Sequence, residues 1–388
     1  MKTRLETLIL EKIKKVIKHN GIYVPLHHPM FNGNEKRYLI ECVESNFVSS
    51  VGEFVDRFEK MLEEFTGAKK AVLCVNGTAA LHISLKVIGV ELGDEVLVPA
   101  MTFVATANAV SYCGAIPHFV DIEEKTLGVD PKKLEVYLEE IAEIRENNEC
   151  VNKATRRRIK AILPMHTFGH PVNMDRLNEV CKKYNIVVIE DAAESLGSLY
   201  KGIHTGRLGR LGVFSFNGNK IVTTGGGGAV ITDDEDLAVL LKHLTTTAKV
   251  PHPWEFYHDR IGYNYRMPAL NAALGCAQME KLPEFIEKKR SLAKRYAEAF
   301  SDLEGVRFFT EPDFARSNYW LNTLILDKRW AHLRDEILKL TNENGIMTRP
   351  VWTLLHKLPM YRHCPKMDLD CAEDLTSRII NIPSSADL

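Results

Sequence analysis

Phe214-Ser215-Phe216-Asn217-Gly218-Asn219-Lys220 leads directly into Ile221-Val222-Thr223-Thr224-Gly225-Gly226-Gly227-Gly228. An apolar run ends in a lysine, and a glycine turn follows. A lysine between a strand and a glycine-rich turn can be held close to a bound ligand, because glycine lets backbone approach it. Upstream lies Val187-Val188-Ile189-Glu190-Asp191, an apolar run ending in carboxylates. A lysine amine and a strand-end aspartate together are what pyridoxal phosphate (PLP) chemistry needs. The amine forms a Schiff base and the carboxylate pairs with the pyridinium nitrogen.

Outward from this pair, strands alternate with helices from about residue 68. Strands are expected at 71–75, 95–99, 116–120, 159–165 and 186–189, and helices at 79–90, 103–112, 131–141 and 174–184. This alternation predicts an α/β fold with a mainly parallel sheet covered by helices. The runs 212–216 and 228–232 follow one another with no long helix between them, which predicts at least one antiparallel strand. Beyond about residue 270 the pattern turns helical. A long charged helix is expected over 282–303, with Leu292, Tyr296 and Phe300 as its apolar stripe. Strands at 306–309 and 319–326 and a helix at 330–344 complete a smaller α+β unit. The division is residues 1–270, with an N-terminal amphipathic helical segment, and residues 271–388.

The 388 residues carry a formal net charge of −1, with 45% hydrophobic and 26% charged residues. That balance offers no global field for nucleic acid or an anionic membrane. No apolar run reaches the length of a membrane span, and the N-terminus reads as a helix rather than a signal peptide. The eight cysteines form no C-x-x-C pair, and several sit in apolar segments, as free thiols do in a reducing compartment. A cytoplasmic protein is expected. His166 and His170 have i, i+4 spacing, but Gly169 and Pro171 argue against a helix between them, and no metal site is expected. The basic run Lys153–Lys160 reads as a solvated hairpin or loop.

Other candidates are weaker when taken singly. Asn76-Gly77-Thr78 opens a helix after a strand, where free N–H groups bind phosphate; an ordinary N-cap explains it as well. Ser215 is either a second phosphate donor or a serine on a half-buried strand. Phe103 can stack on a flat ring or fill the core. Asp191 stands out, because a carboxylate ending an apolar strand needs a partner, and open α/β sheets bind ligands at strand C-terminal ends.

In order along the chain, Asn76-Gly77-Thr78, Glu190-Asp191-Ala192-Ala193-Glu194, Phe214-Ser215-Phe216 with Lys220, and Gly262-Tyr263-Asn264-Tyr265-Arg266-Met267 form a specific set. The chain resembles the DegT/DnrJ/StrS-type PLP-dependent nucleotide-sugar aminotransferases from about Pro25 to Pro383. A narrower likeness is to the subfamily aminating C4 of 4-keto-6-deoxy-HexNAc nucleotides, as in legionaminic acid pathways. It rests on Pro25-Leu26-His27, Val48-Ser49-Ser50-Val51-Gly52, His166-Thr167-Phe168-Gly169-His170-Pro171 and Thr348-Arg349-Pro350-Val351-Trp352 through Tyr361.

The resemblance implies fold type I architecture, with Lys220 as the covalent attachment point of PLP. It implies Asp191 on the ring nitrogen, Phe103 on the ring, Glu194 near the ring hydroxyl, and Gly77, Thr78 and Ser215 on the phosphate. Asn264 would complete the phosphate site of a neighbouring subunit, making a homodimer with shared active sites. His166, Arg349, Trp352, His356 and Tyr361 are candidate substrate residues, with packing of the smaller unit an equal explanation. Gly226 stands where many relatives carry glutamate. The implied substrates are L-glutamate and a nucleotide-linked keto-sugar, UDP-linked first and GDP-linked as the alternative. Related sugar 3-dehydratases carry histidine at the position of Lys220, so lysine favours amination. A non-catalytic regulatory relative and a Rossmann-type oxidoreductase are the competing classes. The latter lacks its G-x-G-x-x-G fingerprint here.

Overall fold

The computed structural model describes residues 4–388; Met1, Lys2 and Thr3 lie outside the described residues. Seven strands build the main sheet: β1 (Lys70–Cys74), β2 (Glu95–Pro99), β3 (Ile116–Val120), β4 (Ile159–Ile162), β5 (Val187–Asp191), β6 (Leu211–Ser215) and β7 (Gly228–Thr232). Their spatial order is β1-β7-β6-β5-β4-β2-β3. Only β7 runs antiparallel to its neighbours, pairing Val230 with both Val72 and Val213. This is the antiparallel strand expected from the missing helix after residue 216. A direct turn can reverse the chain, whereas a parallel return needs a long crossover.

The crossover helices are α4 (Gly77–Val87), α5 (Val104–Tyr112), α6 (Pro131–Ile141) and α7 (Met174–Lys183), following α1 (Leu5–Val16), α2 (Glu35–Glu44) and α3 (Glu53–Thr66). Asn76 caps α4 by accepting the Ala79 N–H, and Asp130 caps α6 with Pro131 at its first position. Strand β2 is buried along its whole length, as helices on both faces require.

After α8 (Glu235–Thr245), the chain enters α9 (Ala269–Phe300), one helix of 32 residues. The sequence pattern places its start at 282, where the apolar stripe Leu292, Tyr296 and Phe300 belongs to a long charged stretch. In the structure, Ala272, Ala273 and Cys276 are buried against Phe58 and Leu62 of α3, so this half of the helix is apolar on most sides. The second half packs Leu292, Tyr296 and Phe300 against Ile9, Leu10 and Ile13 of α1. The N-terminal helix therefore sits on the C-terminal layer. That layer is an antiparallel sheet of β8 (Val306–Phe308), β9 (Asn322–Leu326), β10 (Arg349–Pro350) and β11 (Ile379–Ile382), ordered β8-β9-β11-β10. Strand β9 starts at Asn322 rather than 319. Tyr319 has φ +49°, and Asn318 Oδ1 accepts the Trp320 N–H, so the chain bends before the ladder begins. The expected helix at 330–344 splits into a 3-10 turn, Lys328–Leu333, and α10 (Arg334–Glu343).

The basic run is more engaged than a solvated loop. Arg158 forks onto Asp94 at 3.0 and 2.7 Å, and Thr155 donates to the fully buried Glu95 at 2.6 Å. All eight cysteines are free and six are buried. No helix among the described residues is long and apolar enough to cross a membrane.

Candidate active site

The C-terminal ends of β5 and β6 and the N-terminus of α4 converge on a cavity of about 330 Å³. Gly77, Thr78, Phe103, Asp191, Glu194, Ser215, Lys220 and Trp352 line it, together with Thr106, Asn219, Gly226 and Trp320. Residues more than a hundred positions apart thus share one wall. Most of them stand where a strand ends or a helix begins, which is where an open α/β sheet exposes its functional groups.

Lys220 Nζ lies 3.2 Å from Glu194 Oε1 and 4.0 Å from the centre of the Trp320 ring. Glu194 is buried, and its other oxygen accepts the Phe168 N–H at 2.9 Å. Burial pushes the Glu194 carboxyl up to about 7, even though the Lys220 ammonium and the Phe168 N–H pull it down. Phe168 reaches that carboxylate from a left-handed conformation, φ +57°, and the next residue, Gly169, has φ +96°. A Cβ on Gly169 would come within 1.9 Å of Asn318 Oδ1.

Asp191, also buried, accepts from Thr106 Oγ1 at 2.7 Å and from the Ala193 N–H at 3.2 Å. Burial raises its carboxyl above the usual range, and these two donors offset only part of that effect. Lys220 acts on it from a distance, and among the described residues no cation pairs with it directly. Glu190, one residue earlier and on the opposite face of β5, shows the contrast. It accepts from His166 Nε2 and from the N–H groups of Gly206, Leu208 and Gly209, so its capacity is filled within the chain.

At the α4 N-terminus, Asn76 satisfies the Ala79 N–H and leaves the first turn open towards the cavity. Gly77 is required by close approach. A Cβ there would stand 3.0 Å from Ser215 Cβ and 3.5 Å from the Phe214 carbonyl oxygen. Thr78 and Ser215 bring hydroxyls to the same rim. Three features therefore fit PLP: an under-compensated carboxylate for a protonated ring nitrogen, an amine, and a helix N-terminus with two hydroxyls for a phosphate. Phe103 stands at the mouth, edge-on to Trp352 with ring centres 6.2 Å apart. A side chain on Gly226 would meet nothing within 4 Å, so this part of the lining is open.

Five sequence candidates lie outside this cavity lining. His166 uses both ring nitrogens behind it, one on Glu190 and the other accepting the Val172 N–H at 3.1 Å. His356 pairs with Glu373 at 3.2 Å, and the Tyr361 hydroxyl donates to Asn108 at 2.6 Å. Arg349 is exposed on β10, and Asn264 is exposed where its backbone bridges to Thr246. Among the described residues no group of three or more His, Cys, Asp or Glu side chains is placed to hold a metal.

Comparison with known proteins agrees with this geometry. The profile of the DegT/DnrJ/EryC1/StrS aminotransferase family matches residues 29–388. The chain belongs to this family. It is 38% identical to the GDP-perosamine synthase of Caulobacter vibrioides, over 93% of this chain and 92% of that protein. It is 32% identical to the spore coat polysaccharide biosynthesis protein SpsC of Bacillus subtilis, over 89% and 87%. Its fold matches Helicobacter pylori PseC, described as an aminotransferase involved in the biosynthesis of pseudoaminic acid. That match has a TM-score of 0.85 at 25% identity, over 94% and 95% of the two chains. The protein is a fold type I nucleotide-sugar aminotransferase, and family members depend on PLP.

Sequence reasoning missed Thr106 and Trp320. Thr106 had a signal, a second hydroxyl one helical turn after Thr102. Trp320 had none, since it reaches Lys220 only through the turn that precedes β9.

Proposed function

We propose that this aminotransferase places an amino group on C4 of a nucleotide-linked 4-keto-6-deoxy sugar. The donor is L-glutamate, and the product enters legionaminic acid-type or related glycan synthesis in the cytoplasm. The observation that carries the reading is Lys220 Nζ standing beside Glu194 in the cavity that also holds Asp191 and the α4 N-terminus.

When bound, PLP supplies a carbonyl that amines can engage and a ring that takes up an electron pair. The chain's own residues supply the rest. Asp191 holds a proton on the ring nitrogen, which gives its buried carboxylate the cation it lacks. Gly77, Thr78 and Ser215 bind the phosphate through the helix N-terminus and two hydroxyls. Phe103 would cover the ring face. Lys220 Nζ would take a proton from the donor α-carbon as base and, as acid, give it to the cofactor. Glu194 Oε1, 3.2 Å away and near its own titration point, takes the proton that the amine must shed before it can act. In the second half the same groups work in reverse on the keto-sugar.

The active unit in this reading is a homodimer, with Asn264 completing the partner's phosphate site. Exposed Trp254, Phe256, Tyr257 and Ile261, just before Asn264, support a covered surface there. The leading substrate is UDP-2-acetamido-4-keto-2,6-dideoxyhexose, with Trp352 at the cavity mouth facing the sugar. A GDP-linked keto-sugar is the second reading, favoured by relatives named GDP-perosamine synthase at 34–38% identity. Assaying both keto-sugar nucleotides with glutamate, and determining the C4 configuration of the product, tests the proposal. Turnover of the UDP substrate supports the first reading and turnover of only the GDP substrate the second. Amination at neither would refute both.

A further inference from the structure

One buried ammonium group takes no part in the chemistry above. Lys289 on α9 is fully buried. Among the described residues it has no carboxylate partner, and its Nζ donates to two backbone carbonyls, that of Trp320 at 3.2 Å and that of Ser384. Asp387 acts on it from the C-terminal segment, but Asp387 is itself 2.9 Å from His28 Nε2. His27 faces it from the N-terminal segment and brings no negative charge. Burial, then Lys289, His28 and Lys220, hold that imidazole well below its ordinary value. Without an acid of its own, the Lys289 amine is pushed down to about 7.

An apolar residue of similar volume would fill this place without the desolvation cost. What it could not do is donate to two segments at once. The carbonyls that Lys289 joins belong to the chain before β9 and to the chain after β11. The first carries Trp320, whose indole N–H donates to the Asn219 carbonyl at 2.8 Å and whose face lies on Lys220 Nζ. We infer that Lys289 is a positioning residue: by tying the Trp320 and Ser384 carbonyls it fixes the indole that forms the wall behind the Lys220 amine. The inference rests on the proposed function only for its catalytic consequence, since the tie is a property of the cofactor-free chain.

The test is competitive acylation of the cofactor-free full-length protein with acetic anhydride near neutral pH, read by mass spectrometry. The exposed Lys294 is the internal reference. In Lys289→Met the indole loosens and Lys220 should label faster relative to Lys294, by roughly threefold or more. Lys289→Gln keeps an amide donor for one carbonyl and should return part of the parental rate. A folded Lys289→Met with parental Lys220 labelling overturns the inference. If that variant does not fold, Lys289→Gln decides: with one of the two carbonyl ties removed, Lys220 should still label faster than in the parent relative to Lys294. Parental Lys220 labelling in Lys289→Gln overturns the tie. Neither readout needs cofactor or substrate, so failure here is distinct from failure of the proposed reaction.

Discussion

Replacing Glu194 with glutamine removes a buried cavity carboxylate whose ionisation is balanced near neutrality. The side chain is 1% exposed and has two partners, the Phe168 N–H and Lys220 Nζ. Its carboxyl moves from an ordinary 4.5 to about 7 on folding. A raised carboxyl binds its proton more tightly in the folded state, so stability is highest at low pH and is lost as pH rises between those values. The gap corresponds to roughly 3 kcal/mol in full, of which about 2–3 kcal/mol falls between about pH 5 and about pH 8. Glutamine cannot ionise, so Glu194→Gln lacks this slope. Urea unfolding of the cofactor-free parent and variant at both pH values gives the comparison, with each variant-minus-parent difference cancelling every other titrating group. The difference should shift in favour of the variant by that amount on going to the higher pH. An unchanged difference, or a shift in the other direction, would refute the placement of Glu194 as the proton partner of Lys220.

Asp191→Asn should separate stability from function. The cofactor-free protein should be at least as stable as the parent, because an under-compensated buried carboxylate is gone, while turnover should fall by roughly a hundredfold or more; a destabilised but active variant would contradict this. Gly77→Ala should push α4 away from Ser215, lowering affinity for PLP about tenfold by calorimetric titration, at a stability cost of about 1–3 kcal/mol. Gly169→Ala must place a Cβ against Asn318 Oδ1 at a positive φ, and a loss above about 2 kcal/mol in urea unfolding is expected.

The sheet was legible because its strands are short apolar runs punctuated by glycine, proline and polar turns, and because a missing helix between 216 and 228 forces a reversal. The site was legible where function sits at an element's end. Gly77, Thr78, Asp191 and Ser215 each occupy such a position, Glu194 and Lys220 lie in the turns that follow β5 and β6, and the structure brings all six to one cavity. Residues delivered by tertiary packing were not legible. Trp320 reaches Lys220 through a bend at Tyr319, and Lys289 reads as one more charge on a long charged helix. His166, His356 and Tyr361 lie outside the cavity lining. Their chemistry suits a substrate site, but the fold gives them partners in Glu190, Glu373 and Asn108 instead. The start of α9 was missed because a helix buried on most sides has no stripe to reveal it.

The central claim is that Lys220 is the amine that works on PLP, and the visible absorbance of the PLP-loaded protein tests it most directly. The parent should show a band that L-glutamate bleaches and keto-sugar nucleotide restores. Lys220→Ala should show neither the parental band nor turnover. Parental turnover in Lys220→Ala would contradict the account.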